Sequence, residues 1–200
     1  MRSAALRLLA VVSVLAGMLL LASCSGAEPE QSPASTSETP VITGEPAGSN
    51  ANDVSFATNM IEHHKQSVDL AALVPDRSTN PDVVAVASSI TAARGPEIEV
   101  MKALLVQWSE GSATGPGGAG APPQGAVDPN TVARLETLSG QDFDVLWLQS
   151  MITHAQGAIA MANAEIANGD NVDAVALARR MVDAQRAEID QMQQILAAGG

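Results

Sequence analysis

The stretch Phe56–Ala71, FATNMIEHHKQSVDLA, occurs a second time as Trp147–Ala162, WLQSMITHAQGAIAMA. The offset of 91 residues pairs Met60 with Met151, Ile61 with Ile152 and His63 with His154. It continues downstream without a gap, pairing Ile90 with Met181, Glu97 with Glu188, Met101 with Met192 and Leu105 with Leu196. One unit, M-I-x-H followed by E-I-x-x-M, is therefore present twice. All three histidines, His63, His64 and His154, fall inside the two M-I-x-H copies.

Both copies have helical spacing. In the first, Phe56, Met60, Ile61, His63, His64, Ser67, Val68 and Ala71 share one broad face. Glu62, Lys65, Gln66 and Asp69 lie opposite and should be wet. Asn52 or Asp53 should cap this helix, and Val74-Pro75 should end it. A second helix should start at Asn80-Pro81 and reach about Trp108, kinked or restarted at Gly95-Pro96. Asp128-Pro129 opens a short helix ending near Leu138. A longer one follows from Gln141 to Asn168, with Ser139 as cap and Gly169 as stop, and a last one from Asn171 to Leu196. The fold class is all-α. Each copy makes a helical hairpin that cannot bury its apolar face alone, so the two should pair as a four-helix bundle.

The flanking segments read differently. Residues 1–23 form a signal peptide, with Arg2 and Arg7 ahead of a short apolar run. Leu21-Ala22-Ser23-Cys24 resembles a bacterial lipobox, which makes Cys24, the only cysteine, a lipidation site. The protein is then held at the extracytoplasmic face of the cell membrane by a lipid. A lone cysteine excludes an intramolecular disulfide. Residues 24–51 should be a disordered tether rich in Ser, Pro, Glu and Thr. Residues 52–198 form the domain: repeat one at 52–110, a flexible linker at 111–127, repeat two at 128–198. Without Arg2 and Arg7, 8 basic residues face 22 acidic ones, a net charge of −14. Such a chain repels nucleic acid.

The chemistry sits on the repeat-related positions. Met60 and His63 project from one patch of a helix, as do Glu97 and Met101. Met151 with His154 and Glu188 with Met192 repeat the arrangement. Buried imidazoles and carboxylates need partners. One solution is a polar core in which each glutamate holds a histidine and no ligand binds. The other is a metal. Imidazole and carboxylate suit zinc, copper or iron, and thioethers add a preference for Cu(I) or Ag(I). Four of the six methionines outside the signal peptide are the repeat-paired ones, which favours a metal over a bland core. A redox enzyme is a third possibility, but the chain carries no nucleophile or cofactor fingerprint.

At Met60-Ile61-Glu62-His63-His64, Met151-Ile152-Thr153-His154, Glu97-Ile98-Glu99-Val100-Met101 and Glu188-Ile189-Asp190-Gln191-Met192 the sequence resembles the family known as domain of unknown function 305, over about residues 53–197. The resemblance implies a ferritin-like helical bundle in an extracytoplasmic location, and for some members copper or silver handling. Ala155 stands where the family usually has a second histidine, and Arg94 where the other copy has Gln185. The expected metal ligands are His63 and His154, then His64, Met60, Met151, Met101 and Met192. Glu97 and Glu188 are expected as ligands or as partners that orient the imidazoles.

Overall fold

The computed structural model describes residues 48–111 and 124–199. The signal peptide, Cys24 and most of the tether lie outside the described residues. Helix α1 spans Ala51–Ala72, α2 Pro81–Gly111, α3 Pro129–Leu135, α4 Gly140–Asn168 and α5 Val172–Ala197, with a 3₁₀ turn at Val74–Asp76. Among the described residues there is no strand. No helix among them is long and apolar enough to cross a membrane.

Local chemistry fixes the helix ends. The cap of α1 is Asn50, not Asn52 or Asp53. Its side chain accepts from the backbone N–H of Asn52 at 2.7 Å and of Asp53 at 3.1 Å. Asp53 returns the favour, accepting from the Asn50 N–H at 2.6 Å. This reciprocal box satisfies orphan donors that a cap two residues later would leave bare. Helix α2 runs uninterrupted through Pro96, so the expected restart at Gly95-Pro96 does not occur. Core side chains on both sides of that point, Ile90 and Met101 among them, are fully buried and hold the helix across the missing N–H. Ser139 occupies the cap position of α4 but makes no capping hydrogen bond. Instead Gly140, at φ +62°, donates its N–H to Arg77 O at 2.7 Å.

Helix α1 packs on α2 and α4 on α5, and the two pairs meet through α1 with α4 and α2 with α5. Two apolar clusters form, and each draws on both copies. Phe56, Met60 and Met101 share one with Ala158, Ala162 and Met181. Trp147, Met151 and Met192 share the other with Leu70, Ala71 and Ile90. The counterparts Phe56 and Trp147 thus lie in different clusters. The start of α1 packs near the end of α4, and the reverse. The Trp147 indole N–H donates to Leu70 O at 2.9 Å. Burying side chains of this size contributes about 1.5–3 kcal/mol each. The reciprocal contacts of the counterparts His63 and His154 relate the two copies by an approximate two-fold.

At one end of α1 and α4 lies a second polar feature. Asp53 also accepts from the N–H groups of Asp170 at 3.2 Å and Asn171 at 3.0 Å, so it ties the start of α5 to the start of α1. Beside it, Glu165 is buried and neither carboxyl oxygen has a donor to accept from. Burial, the hydrogen bond it can donate to Asp53 as an acid, and the Asp53 charge push its pKa up to about 8. Folding at pH 7 therefore protonates Glu165. That costs about 3 kcal/mol relative to an ordinary glutamate. Glu165→Gln removes the cost but leaves its own amide oxygen without a donor, a penalty of about 1 kcal/mol. The expected result is a gain of about 2 kcal/mol in urea unfolding at pH 7. A loss of stability would contradict the protonated carboxyl.

Candidate metal centre

The two copies of M-I-x-H bring His63 and His154 face to face. Their rings stack at 3.6 Å between centroids with planes 10° apart, and both residues are buried. The contact follows the two-fold closely. His63 Nε2 lies 3.1 Å from His154 O, and His154 Nε2 lies 3.1 Å from His63 O.

Hydrogen-bond partners assign the tautomers. A carbonyl only accepts, so His63 carries its hydrogen on Nε2 and donates to His154 O. Its Nδ1 is then a lone pair, buried and without a partner. His154 has more company. Nδ1 lies 3.2 Å from Gly125 O, and Nε2 lies 2.9 Å from the Ser67 hydroxyl. Either tautomer leaves one nitrogen against a carbonyl. The Nδ1–H form donates to Gly125 and lets Ser67 donate to Nε2 across the shortest of the three contacts. His64 turns the other way, its ring centroid 6.2 Å from that of His63. Its Nε2–H donates to Glu97 Oε2 at 2.9 Å, and its Nδ1 also has no partner.

All three imidazoles are neutral at pH 7. Burial, then the neighbouring His154 and His64, bring the His63 pKa down to about 2. Burial brings His154 down to about 4 against the pull of its two carbonyl contacts. Burial also lowers His64, although Glu97 opposes it. Two unprotonated, unpartnered nitrogens in a buried position are donors that a proton does not occupy at neutral pH.

The two glutamates are partly exposed and lie toward α2 and α5, joined by Arg94. Its guanidinium donates to Glu97 Oε2 at 3.2 Å and to Glu188 Oε2. Arg94 is itself 1% exposed. Burial works against ionisation of Glu97. The His64 hydrogen bond and the Arg94 charge outweigh it, and the carboxyl lies below its ordinary range. At Glu188 burial wins over Arg94, and the carboxyl lies above its ordinary range. Arg94 thus takes the place of a cation between the glutamates. Glu97 orients an imidazole, whereas Glu188 touches only Arg94 in this group.

The methionines fall into two sets rather than one. Met60 and Met101 belong to the first apolar cluster, Met151 and Met192 to the second. Among the described residues no three His, Cys, Asp or Glu side chains converge as a ready metal cage. A cation in this interior would draw on imidazole nitrogen with thioether sulfur, a donor set suited to soft ions.

Two features lie outside the sequence reading. Gln66, expected on the wet face, clasps Val127 through two hydrogen bonds of 2.9 Å. The end of the expected flexible linker, residues 124–127, is accordingly fixed against α1 and α4. Residues 112–123 of that linker lie outside the described residues. The available signal was Gly157, the counterpart of Gln66 and an isolated glycine in the middle of a helix.

The model of the family described as domain of unknown function (DUF305) matches residues 53–196. The structure is similar to that of a DUF305 fragment from Deinococcus radiodurans, at 30% identity and a TM-score of 0.68, covering 76% of this chain and 99% of that one. It is also similar to a DUF305 protein from Streptomyces coelicolor described as secreted, at 28% identity and a TM-score of 0.67, covering 74% and 94%. A third similar structure is CopM in its Cu(I)-bound form, at 27% identity and a TM-score of 0.62, covering 73% and 96%. CopM structures with Cu(II) and with silver are similar as well. No curated protein matches the chain by sequence.

Proposed function

The chain belongs to the DUF305 family, and from that premise we propose that it binds a soft metal ion, copper above all, in the interior of a ferritin-like four-helix bundle. The observation that carries this reading is the pair of buried, unpartnered Nδ1 atoms on His63 and His64. His63, His154 and His64 supply nitrogen, and Met60, Met151, Met101 and Met192 supply thioether sulfur. Glu97 holds His64 in the tautomer that leaves Nδ1 free. Glu188 serves the site through Arg94, not as a ligand. The likeness to CopM, whose structures include Cu(I), Cu(II) and silver, supports the same choice of metal.

The cellular setting is part of the proposal. The signal peptide and the lipidated Cys24 put the domain on a tether at the extracytoplasmic face of the cell membrane. There it sequesters copper or passes it on. The similarity to a protein described as secreted supports this location.

The double variant His63→Ala/His154→Ala should lower Cu(I) affinity at least about 100-fold in competition with a chelator. A folded double variant with unchanged affinity would sink the assignment. Arg94 favours a second reading, a structural or partner-binding lipoprotein whose polar core only sets helix register. Its charge sits within the polar group and opposes an incoming cation. That reading expects no stoichiometric metal.

A further inference from the structure

The three imidazoles are buried, and nearly everything that touches their nitrogens is helical. His154 O, His63 O and Ser67 lie on α4 and α1, and Glu97 lies on α2. Separating any of these helices would open an apolar cluster. One contact is different. Gly125 O, 3.2 Å from His154 Nδ1, belongs to a non-helical segment.

That segment is held by few bonds, and two side-chain positions are shaped to hold it. The Gln66 amide donates to Val127 O and accepts from Val127 N–H, both at 2.9 Å. Opposite, Gly125 at φ +80° runs against the backbone of Gly157. A Cβ on Gly157 would come within 2.2 Å of Gln124 O and 2.5 Å of Gly125 Cα. Gln66 and Gly157 are the same position in the two repeats. One copy provides a clasp and the other provides room, so the strap crosses only one side of the approximate two-fold.

We infer that residues 124–127 are a latch over the stacked imidazoles, clasped by Gln66 and accommodated by Gly157, and that its release limits the rate at which a metal ion enters and leaves. This rests on the metal-binding reading above. Releasing the latch breaks three hydrogen bonds and lifts one partly buried side chain, Val127, from the edge of the second apolar cluster. Parting two helices would open a whole cluster, so the latch is the less costly route to an imidazole nitrogen. The latch also supplies the acceptor that keeps the hydrogen of His154 on Nδ1.

The test uses Ag(I) as probe on the whole chain, comparing wild type with Gln66→Ala. Loading and release are followed by stopped flow, affinity by competition, and the latch by hydrogen exchange at the Val127 and Gly125 amides. Loss of the clasp should raise exchange at both amides, and speed both loading and release, about tenfold, the population change expected from losing two hydrogen bonds. Affinity should stay within about threefold, because the latch closes again behind the ion. Faster exchange with unchanged loading would overturn the inference and leave metal binding standing. Val127 exchange unchanged in Gly157→Ala, where its Gln66 acceptor is still present, would overturn the latch itself. If wild type takes up no Ag(I), both the metal reading and the gate fall, while amide exchange still reports whether the strap opens. Gly157→Ala displaces the strap from the other side without weakening α4. It should reproduce the faster loading, and wild-type loading in that variant would overturn the inference even if Gln66→Ala fails to fold.

Discussion

Acidification from pH 6.5 to 5 should cost about 3 kcal/mol in a Glu165→Gln background and about 1.5 kcal/mol in the wild type. The histidines set the first figure. In the unfolded chain each titrates near 6.5. In the native protein His63 is held down to about 2 and His154 to about 4. Between those values the unfolded state binds protons that the native state refuses. The stability they contribute is complete above pH 6.5 and lost as pH falls, at about 1.4 kcal/mol per unit for each group. His64 acts in the same direction. Glu165 acts in the opposite one. Its folded pKa of about 8 lies above the ordinary carboxyl value, so its contribution is complete below pH 4.5 and lost as pH rises through 8. Glu188 is raised as well and adds to Glu165. The wild type should therefore be most stable near pH 6.5 and lose about 1 kcal/mol by pH 8. Glu165→Gln should largely flatten the alkaline side and leave the acid side steeper. Urea unfolding at half-unit intervals of pH measures both limbs. In the Glu165→Gln background, flat stability from pH 6.5 to 5 would mean that burial does not hold the imidazoles neutral.

Replacing Arg94 by alanine should destabilise the protein by about 3 kcal/mol at pH 7. The guanidinium is fully buried and compensates two carboxylates that are 14–16% exposed at their side chains. Without it those charges repel each other in a poorly hydrated place. Glu188, already raised above its usual range, would be the first to protonate, and that relief caps the loss. Removing all three charges tests the cause. Arg94→Met with Glu97→Gln and Glu188→Gln should recover most of the loss, because the desolvation cost of the ions goes with them. If Arg94→Ala costs less than about 1 kcal/mol, water already screens the pair and the group is a surface feature.

The fold was legible because two copies of one pattern carry their own helix periods and punctuation. Asn80-Pro81, Asp128-Pro129 and Gly169 mark ends that the structure has. The imidazole pair was legible for a related reason. An approximate two-fold brings equivalent residues together, so an offset of 91 in sequence becomes a stack at 3.6 Å. Ala155 breaks the symmetry where a fourth histidine would stand, and the unmatched His64 turns to Glu97 instead. The helix does not restart at Pro96 because a local rule met a helix packed on both sides of that point. Gln66 was misplaced because a helical wheel shows which face a residue takes, not what another segment lays over that face. The Glu165 and Asp53 pair had no signal at all. The two residues lie in different repeats at positions that are not counterparts, and only the packing of α4 against α1 brings them together.

Copper in the bundle interior is tested most directly by titrating the folded chain with Cu(I) against a competing chelator. Mass spectrometry supplies the stoichiometry. Tight uptake of one or two ions per chain, lost in His63→Ala/His64→Ala, is the result predicted from the unpartnered imidazole nitrogens. No uptake at concentrations where the chain remains folded would contradict it, and would make the imidazoles, Glu97 and Arg94 a polar core that only sets the register of the helices.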